Sequence, residues 1–121
     1  MSTEPHVLLV DDDALIQRSL ARLLSRRGYR VTVHGDGAGC LATLEADPSV
    51  AVVLLDLSLG DMSGEEILAA GLALRPTLPF VILSGYVEDP SRLSKARAIA
   101  SKPIQSDALV ALLGEVLASS P

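Results

Sequence analysis

Two segments of this chain are apolar without alternation and end abruptly in acid. Val7-Leu8-Leu9-Val10 runs into Asp11-Asp12-Asp13, and Val50-Ala51-Val52-Val53-Leu54-Leu55 stops at Asp56. A strand with one wet face alternates polar and apolar side chains, whereas an unbroken apolar run reads as a strand buried on both faces. Such strands belong to parallel sheets, where crossover helices cover both sides.

The rest of the chain fits that frame. Five β-rich runs alternate with helical patterns, and no linker or low-complexity tract interrupts them. After His6 to Val10, Asp13 is placed to cap a helix on which Ile16, Leu20, Leu23, Leu24 and Arg27 share one face by 3–4 spacing, with Gly28 at its end. Tyr29 to His34 is a more polar strand and so an edge. A Gly35-Asp36-Gly37 turn leads to a short helix with Leu41 and Leu44. Ser49 to Leu55 is the central strand. Ser63 and Glu66 form a capping-box pattern opening a third helix through Ile67, Leu68 and Leu72. Phe80 to Leu83 is the fourth strand, ending at Ser84-Gly85. Asp89-Pro90 starts a fourth helix that must be short, because Ala98 to Ser101 already reads as the fifth strand. Ser106 or Asp107 starts the last helix, with Leu109, Leu112, Leu113, Val116 and Leu117 inward. Right-handed crossovers make this (βα)5 pattern a doubly wound α/β sandwich.

Its 121 residues suit one domain, with a core at about 6–118. An apolar content of 49 % against a net charge of −5 excludes disorder. One cysteine, Cys40, excludes a disulfide scaffold and reads as a buried small hydrophobe in a reducing, cytoplasmic setting. No run approaches a membrane span, and Met1 to His6 lacks the pattern of a signal peptide. The acidic balance argues against direct nucleic-acid binding.

In a doubly wound sheet the ligand site lies beyond the carboxyl ends of the strands. There the sequence delivers Asp11, Asp12 and Asp13, then Asp56, Ser84 and Lys102. Two carboxylates about 4 Å apart repel by roughly 4 kcal/mol at an effective dielectric near 20, so such a cluster holds a cation or shifts its pKa values. Oxygen-only ligands suit Mg²⁺. Lysine and a hydroxyl beside it would receive anionic oxygens, which together describe a phosphoryl site. Asp56, ending the central strand, is the best-placed nucleophile. His6 and His34 read as surface or strand-edge residues away from this site.

These residues carry a resemblance. Leu9-Val10-Asp11-Asp12, Leu54-Leu55-Asp56, Met62-Ser63-Gly64, Ser84 and Lys102-Pro103, in this order, resemble the receiver domain of two-component response regulators, chemotaxis-regulator-like, over essentially the whole chain. The resemblance implies a flavodoxin-like, three-layer α/β/α fold with strand order 2-1-3-4-5. It implies that Asp56 accepts a phosphoryl group from a histidine kinase or phosphotransfer protein, with no enzymatic turnover. Asp11, Asp12, Asp56 and the backbone carbonyl of Ser58 would hold Mg²⁺. Lys102 and Ser84 would contact the phosphoryl oxygens. It leaves room for a phosphorylation-dependent homodimer, and for either a free-standing regulator or the receiver piece of a larger protein.

The chain departs from that pattern in three places. Gly60 stands where proline is common. Ile99 and Ile104 replace aromatics, so no ring at Ile99 can flip inward as the output switch. The stretch from Ser84 to Lys102 is short by about one helical turn, roughly 5 Å. The expected consequence is signalling through backbone movement of Gly85 to Asp89. Tyr86, two residues after Ser84, is placed to shield the acyl phosphate or to cover the helix seam. Arg18, Arg22, Arg26, Arg27 and Arg30 form a solvated basic face or a docking surface for the phosphodonor. Arg92, Lys95 and Arg97 are solvated or meet an output partner.

Two other classes compete. A haloacid-dehalogenase-like phosphatase would use Asp11 as nucleophile and Asp13 as general acid, but it lacks a late acidic pair and leaves Asp56 idle. A pseudo-receiver would bind partners without phosphorylation.

Overall fold

The computed structural model describes residues 4–57, 59–85 and 89–119. Five parallel strands, β1 (His6–Val10), β2 (Arg30–His34), β3 (Val50–Asp56), β4 (Phe80–Ser84) and β5 (Ala98–Ser101), pair in the order β2-β1-β3-β4-β5. Among the described residues the α-helices are α1 (Ala14–Arg26), α2 (Gly37–Ala46), α3 (Gly64–Leu74) and α4 (Ser106–Ala118). This is the doubly wound three-layer sandwich expected.

Side-chain alternation divides the core in two. Leu8, Val10, Val53, Leu55, Phe80 and Ile82 face α2 and α3 with Cys40, Leu44, Ile67 and Leu68. Val7, Leu9, Val52, Leu54, Val81 and Leu83 face α1 and α4 with Leu24, Leu109, Leu113 and Val116. Because both sets are apolar, the three inner strands show no period of two in hydrophobicity.

The helix ends follow the sequence signals. Asp13 Oδ1 accepts from the Leu15 and Ile16 amides at 2.9 and 3.2 Å. Past α1, Gly28 adopts φ 92°, and the Tyr29 and Gly28 amides bond back to Leu24 and Ser25 carbonyls, a Schellman turn. Ser63 and Glu66 close their capping box at 3.0 and 3.1 Å. The last helix starts at Ser106 behind Gln105, which makes no side-chain cap.

The fourth helix is short, as the spacing requires: a single 3₁₀ turn, Pro90–Leu93, capped by Asp89. Arg27 is the exposed C-cap of α1 and pairs with Asp107 at 2.9 Å. One expectation of the strands is corrected. His6 is buried, at 4 % exposure, because the β1 start is flanked by both β2 and β3.

His6 sits in a polar network. Arg30 Nη2, a donor only, lies 3.0 Å from His6 Nδ1, so Nδ1 accepts and Nε2–H donates to Thr32 Oγ1 at 2.7 Å. Burial, then the Arg30 charge, lower the ring's pKa below 6.5, against the opposing pull of Asp47. The neutral ring is therefore favoured in the folded chain. Its contribution is intact above pH 6.5, where the unfolded ring is also neutral, and is lost as pH falls through the depressed folded value. Urea midpoints measured from pH 7.5 to 5 are expected to fall for wild type and to flatten for His6→Gln; parallel curves would exclude His6 as the cause.

Gly71 of α3 packs on the core, and a Cβ there would lie 2.4 Å from Phe80 Cζ and 3.3 Å from Leu44 Cδ1. Alanine normally favours a helix by up to about 1 kcal/mol over glycine. Here overpacking reverses the sign, and Gly71→Ala is expected to destabilise by about 1–3 kcal/mol in chemical denaturation.

Candidate functional site

The site forms where β1, β3, β4 and β5 end. Asp11 follows β1 directly, and its amide donates to the His34 carbonyl at 3.1 Å. His34 thus adjoins the site through its backbone, contrary to expectation, while its ring turns to Thr43 Oγ1 at 2.7 Å. Asp11 Oδ1 accepts from the Asp13 amide at 2.9 Å, and the Gln17 side chain donates to the Asp11 carbonyl. These contacts fix a carboxylate that is 1 % exposed. Asp56 closes β3, also buried, and Asp12 is exposed.

Lys102 follows β5, and its amide donates to the Ser84 carbonyl at 2.8 Å. Its ammonium reaches Asp11 Oδ2 at 3.2 Å and Asp56 Oδ1 at 3.1 Å. Burial works against that charge, but the hydrogen bonds and charges of Asp56 and Asp11 outweigh it and hold the lysine pKa above its ordinary value. One ammonium thus bridges two buried carboxylates. The Lys102–Pro103 peptide is cis. Ser84 is buried at the end of β4, in register with Ser101.

Asp11, Asp12 and Asp56 each offer an oxygen within 4.8 Å of the others. Three carboxylates of mixed burial, with no sulfur or imidazole among them, fit a hard divalent cation that keeps part of its water shell. Ser58 and Tyr86 lie outside the described residues, as does 86–88 of the segment expected to move. Ile99 is 40 % exposed on β5, the outer strand.

Asp13 Oδ1 is held by the two amides that it caps. Cys40 is buried, and desolvation pushes its thiol up to about 12, so it is inert. The basic residues Arg18, Arg22, Arg26, Arg27 and Arg30 are all exposed.

Sequence reasoning missed two features. Leu15, off the apolar face of α1 that the sequence singles out, is 70 % exposed. It lines an open groove with Ile16, Leu20, Leu83, Pro103 and Ile104, beside Lys102. Asp61 accepts from the amides of Gly37 at 2.8 Å and Ala38 at 3.0 Å, joining the loop after β3 to α2. No local motif signals a contact across 24 residues.

A family model described as response regulator receiver domain matches residues 7–114. The chain is 38 % identical over 112 residues to the transcriptional regulatory protein KdpE of Mycobacterium tuberculosis, across 88 % of this chain and 48 % of that protein. It is 30 % identical over 125 residues to GlrR of Escherichia coli, across 99 % of this chain and 28 % of that protein. The chain therefore spans less than half the length of these relatives. A CheY-like receiver domain protein from Methanospirillum hungatei superposes with TM-score 0.88 at 28 % identity, covering 96 % of this chain and 95 % of that one. CheY4 of Vibrio cholerae gives 0.83 at 25 %, covering 94 % and 99 %. Sheet order, strand-end acids and these matches agree: the chain belongs to the receiver domain family of two-component response regulators.

Proposed function

We propose that this chain is a phosphoacceptor, with Asp56 taking a phosphoryl group from a phosphohistidine on a kinase or phosphotransfer protein. The observation that carries this reading is the bridge of Lys102 to both Asp11 and Asp56, which brings one donor and two acids to a single point. An Asp56 oxygen forms the new bond to phosphorus while the donor imidazole nitrogen leaves with the electron pair of the broken bond. The Lys102 ammonium and the Ser84 hydroxyl bind the equatorial oxygens, where charge develops. Asp11, Asp12, Asp56 and the Ser58 carbonyl would hold Mg²⁺, which supplies charge neutralisation when bound. The chain consumes one phosphoryl group per molecule and is not a turnover enzyme.

Incubation with acetyl phosphate tests this. The expected result is Mg²⁺-dependent gain of one phosphoryl mass per chain. Steady turnover of a phosphate ester would instead support the phosphatase reading, and absence of labelling a pseudo-receiver.

The groove beside Leu15 and the exposed arginines of α1 suit phosphodonor docking, with an apolar seat and complementary charge. Leu15→Asp is expected to slow transfer from a cognate phosphohistidine protein by about tenfold or more, while labelling by acetyl phosphate stays unchanged. Output is proposed to run through the backbone of 85–89, because Ile99 has no ring to reorient. A phosphorylation-dependent homodimer is a further outcome to measure, by oligomer size with beryllofluoride.

A further inference from the structure

Asp61 holds the loop after the acceptor strand to a helix that the reaction itself does not use. Its two carboxylate oxygens take the Gly37 and Ala38 amides, and Asp36 takes the Gly39 amide at 2.7 Å. All three are first-turn donors with no partner inside α2. Two carboxylates from distant parts of the chain therefore share one helix start, and only Asp36 is a local cap.

Packing makes the junction tight. A Cβ on Gly37 would meet Met62 Sδ at 2.8 Å and Ile67 Cδ1 at 2.9 Å, so α2 sits flush on the residue after Asp61. At the other end of the loop, Leu57 lies over Gly64, where a Cβ would come within 2.0 Å of Leu57 Cδ2. Between these seats the space over Gly60 is open: a Cβ there would find no atom within 4 Å. With neither a proline ring nor a side chain at Gly60, the Leu57 seat and the Asp61 clamp restrain the described part of the loop. The Gly37 and Ala38 amides also keep the Asp61 carboxyl below the usual carboxylate range, so it remains a charged acceptor near neutral pH.

We propose that Asp61 is a positioning residue: by clamping the start of α2 it fixes the backbone that follows Asp56 and so sets the affinity of the Asp11, Asp12, Asp56 cluster for a divalent cation. This inference rests on the reading of that cluster as a cation site.

The test compares wild type, Asp61→Ala and Asp61→Asn, using Mg²⁺ alone followed by amide shifts, and acetyl phosphate labelling over a range of Mg²⁺ concentrations. Asp61→Ala is expected to weaken Mg²⁺ binding by about 3–10-fold, from the loss of two charge-assisted hydrogen bonds. The labelling rate at saturating Mg²⁺ should stay within about twofold, since no residue that contacts phosphorus is changed. Asp61→Asn keeps one acceptor and should fall between. Amide exchange at Gly37 and Ala38 should accelerate in the same order. Faster exchange with unchanged Mg²⁺ affinity would make the clamp purely structural and overturn the proposal. Should the alanine variant fail to fold, the asparagine variant decides by the same two readouts. Wild type that binds no Mg²⁺ overturns the cation reading and this one together; wild type that binds and is labelled, beside an unchanged Asp61→Ala, overturns this one alone.

Discussion

Asp56→Asn is expected to abolish labelling by any phosphodonor, a fall of at least about a hundredfold, while the domain stays folded. The amide keeps the size and planarity of the carboxylate but is neutral and a poor nucleophile. Its effect on stability has a definite sign. Without a cation, Asp11 and Asp56 are both buried and share one ammonium, at 3.2 and 3.1 Å. Removing the Asp56 charge leaves Lys102 and Asp11 as a one-to-one pair and relieves carboxylate repulsion. The metal-free variant is therefore expected to melt at or above wild type, and to gain less from added Mg²⁺. Asp11→Asn separates the classes. In a receiver it weakens the Mg²⁺ dependence while Asp56 remains the labelled residue; in a dehalogenase-like phosphatase it would remove the nucleophile itself. Intact-mass labelling and melting curves of the two variants with and without Mg²⁺ check each point. A labelled Asp56→Asn chain would refute the assignment.

The site was legible where chemistry coincides with the ends of elements. A buried parallel strand must stop at its first charged residue, so Asp11 and Asp56 mark the sheet edge in the sequence itself. Asp13 and the Ser63–Glu66 pair were legible for a local reason: a cap needs only three or four residues of chain. His6 was not, because its burial depends on β2, which supplies Thr32, and on the turn before β3, which supplies Ser49. Nor was the Asp61 clamp, whose carboxylate is an ordinary loop acid until α2 is laid beside it. Leu15 went unread: it lies off the apolar face of α1, and at 70 % exposure it faces outward beside the site. Hydrophobicity alone does not distinguish a core position from an exposed one.

Leu93→Ala is expected to be the costliest of the substitutions considered for stability, at about 2–5 kcal/mol. Among the described residues between β4 and β5, Leu93 alone is buried, at 3 % exposure. A full fourth helix would seal this edge of the core with several side chains; here one 3₁₀ turn does it with one. That turn is held by the Asp89 cap, by the Ala96 amide on the Leu93 carbonyl at 2.9 Å, and by an exposed Arg92–Glu65 ion pair at 3.2 Å. The ion pair contributes little in water, so the leucine side chain is the anchor. Leu93→Met, which nearly conserves volume, should cost under about 1.5 kcal/mol and serves as the size control. The same anchor bears on output. If phosphorylation signals through the backbone after Ser84, the turn must loosen when the phosphoryl group draws on Ser84. Amide exchange in 85–97 should then rise in beryllofluoride-treated wild type, and should already be raised in untreated Leu93→Ala. Exchange unchanged by beryllofluoride in wild type would mean that this segment is static and that the signal leaves by another face.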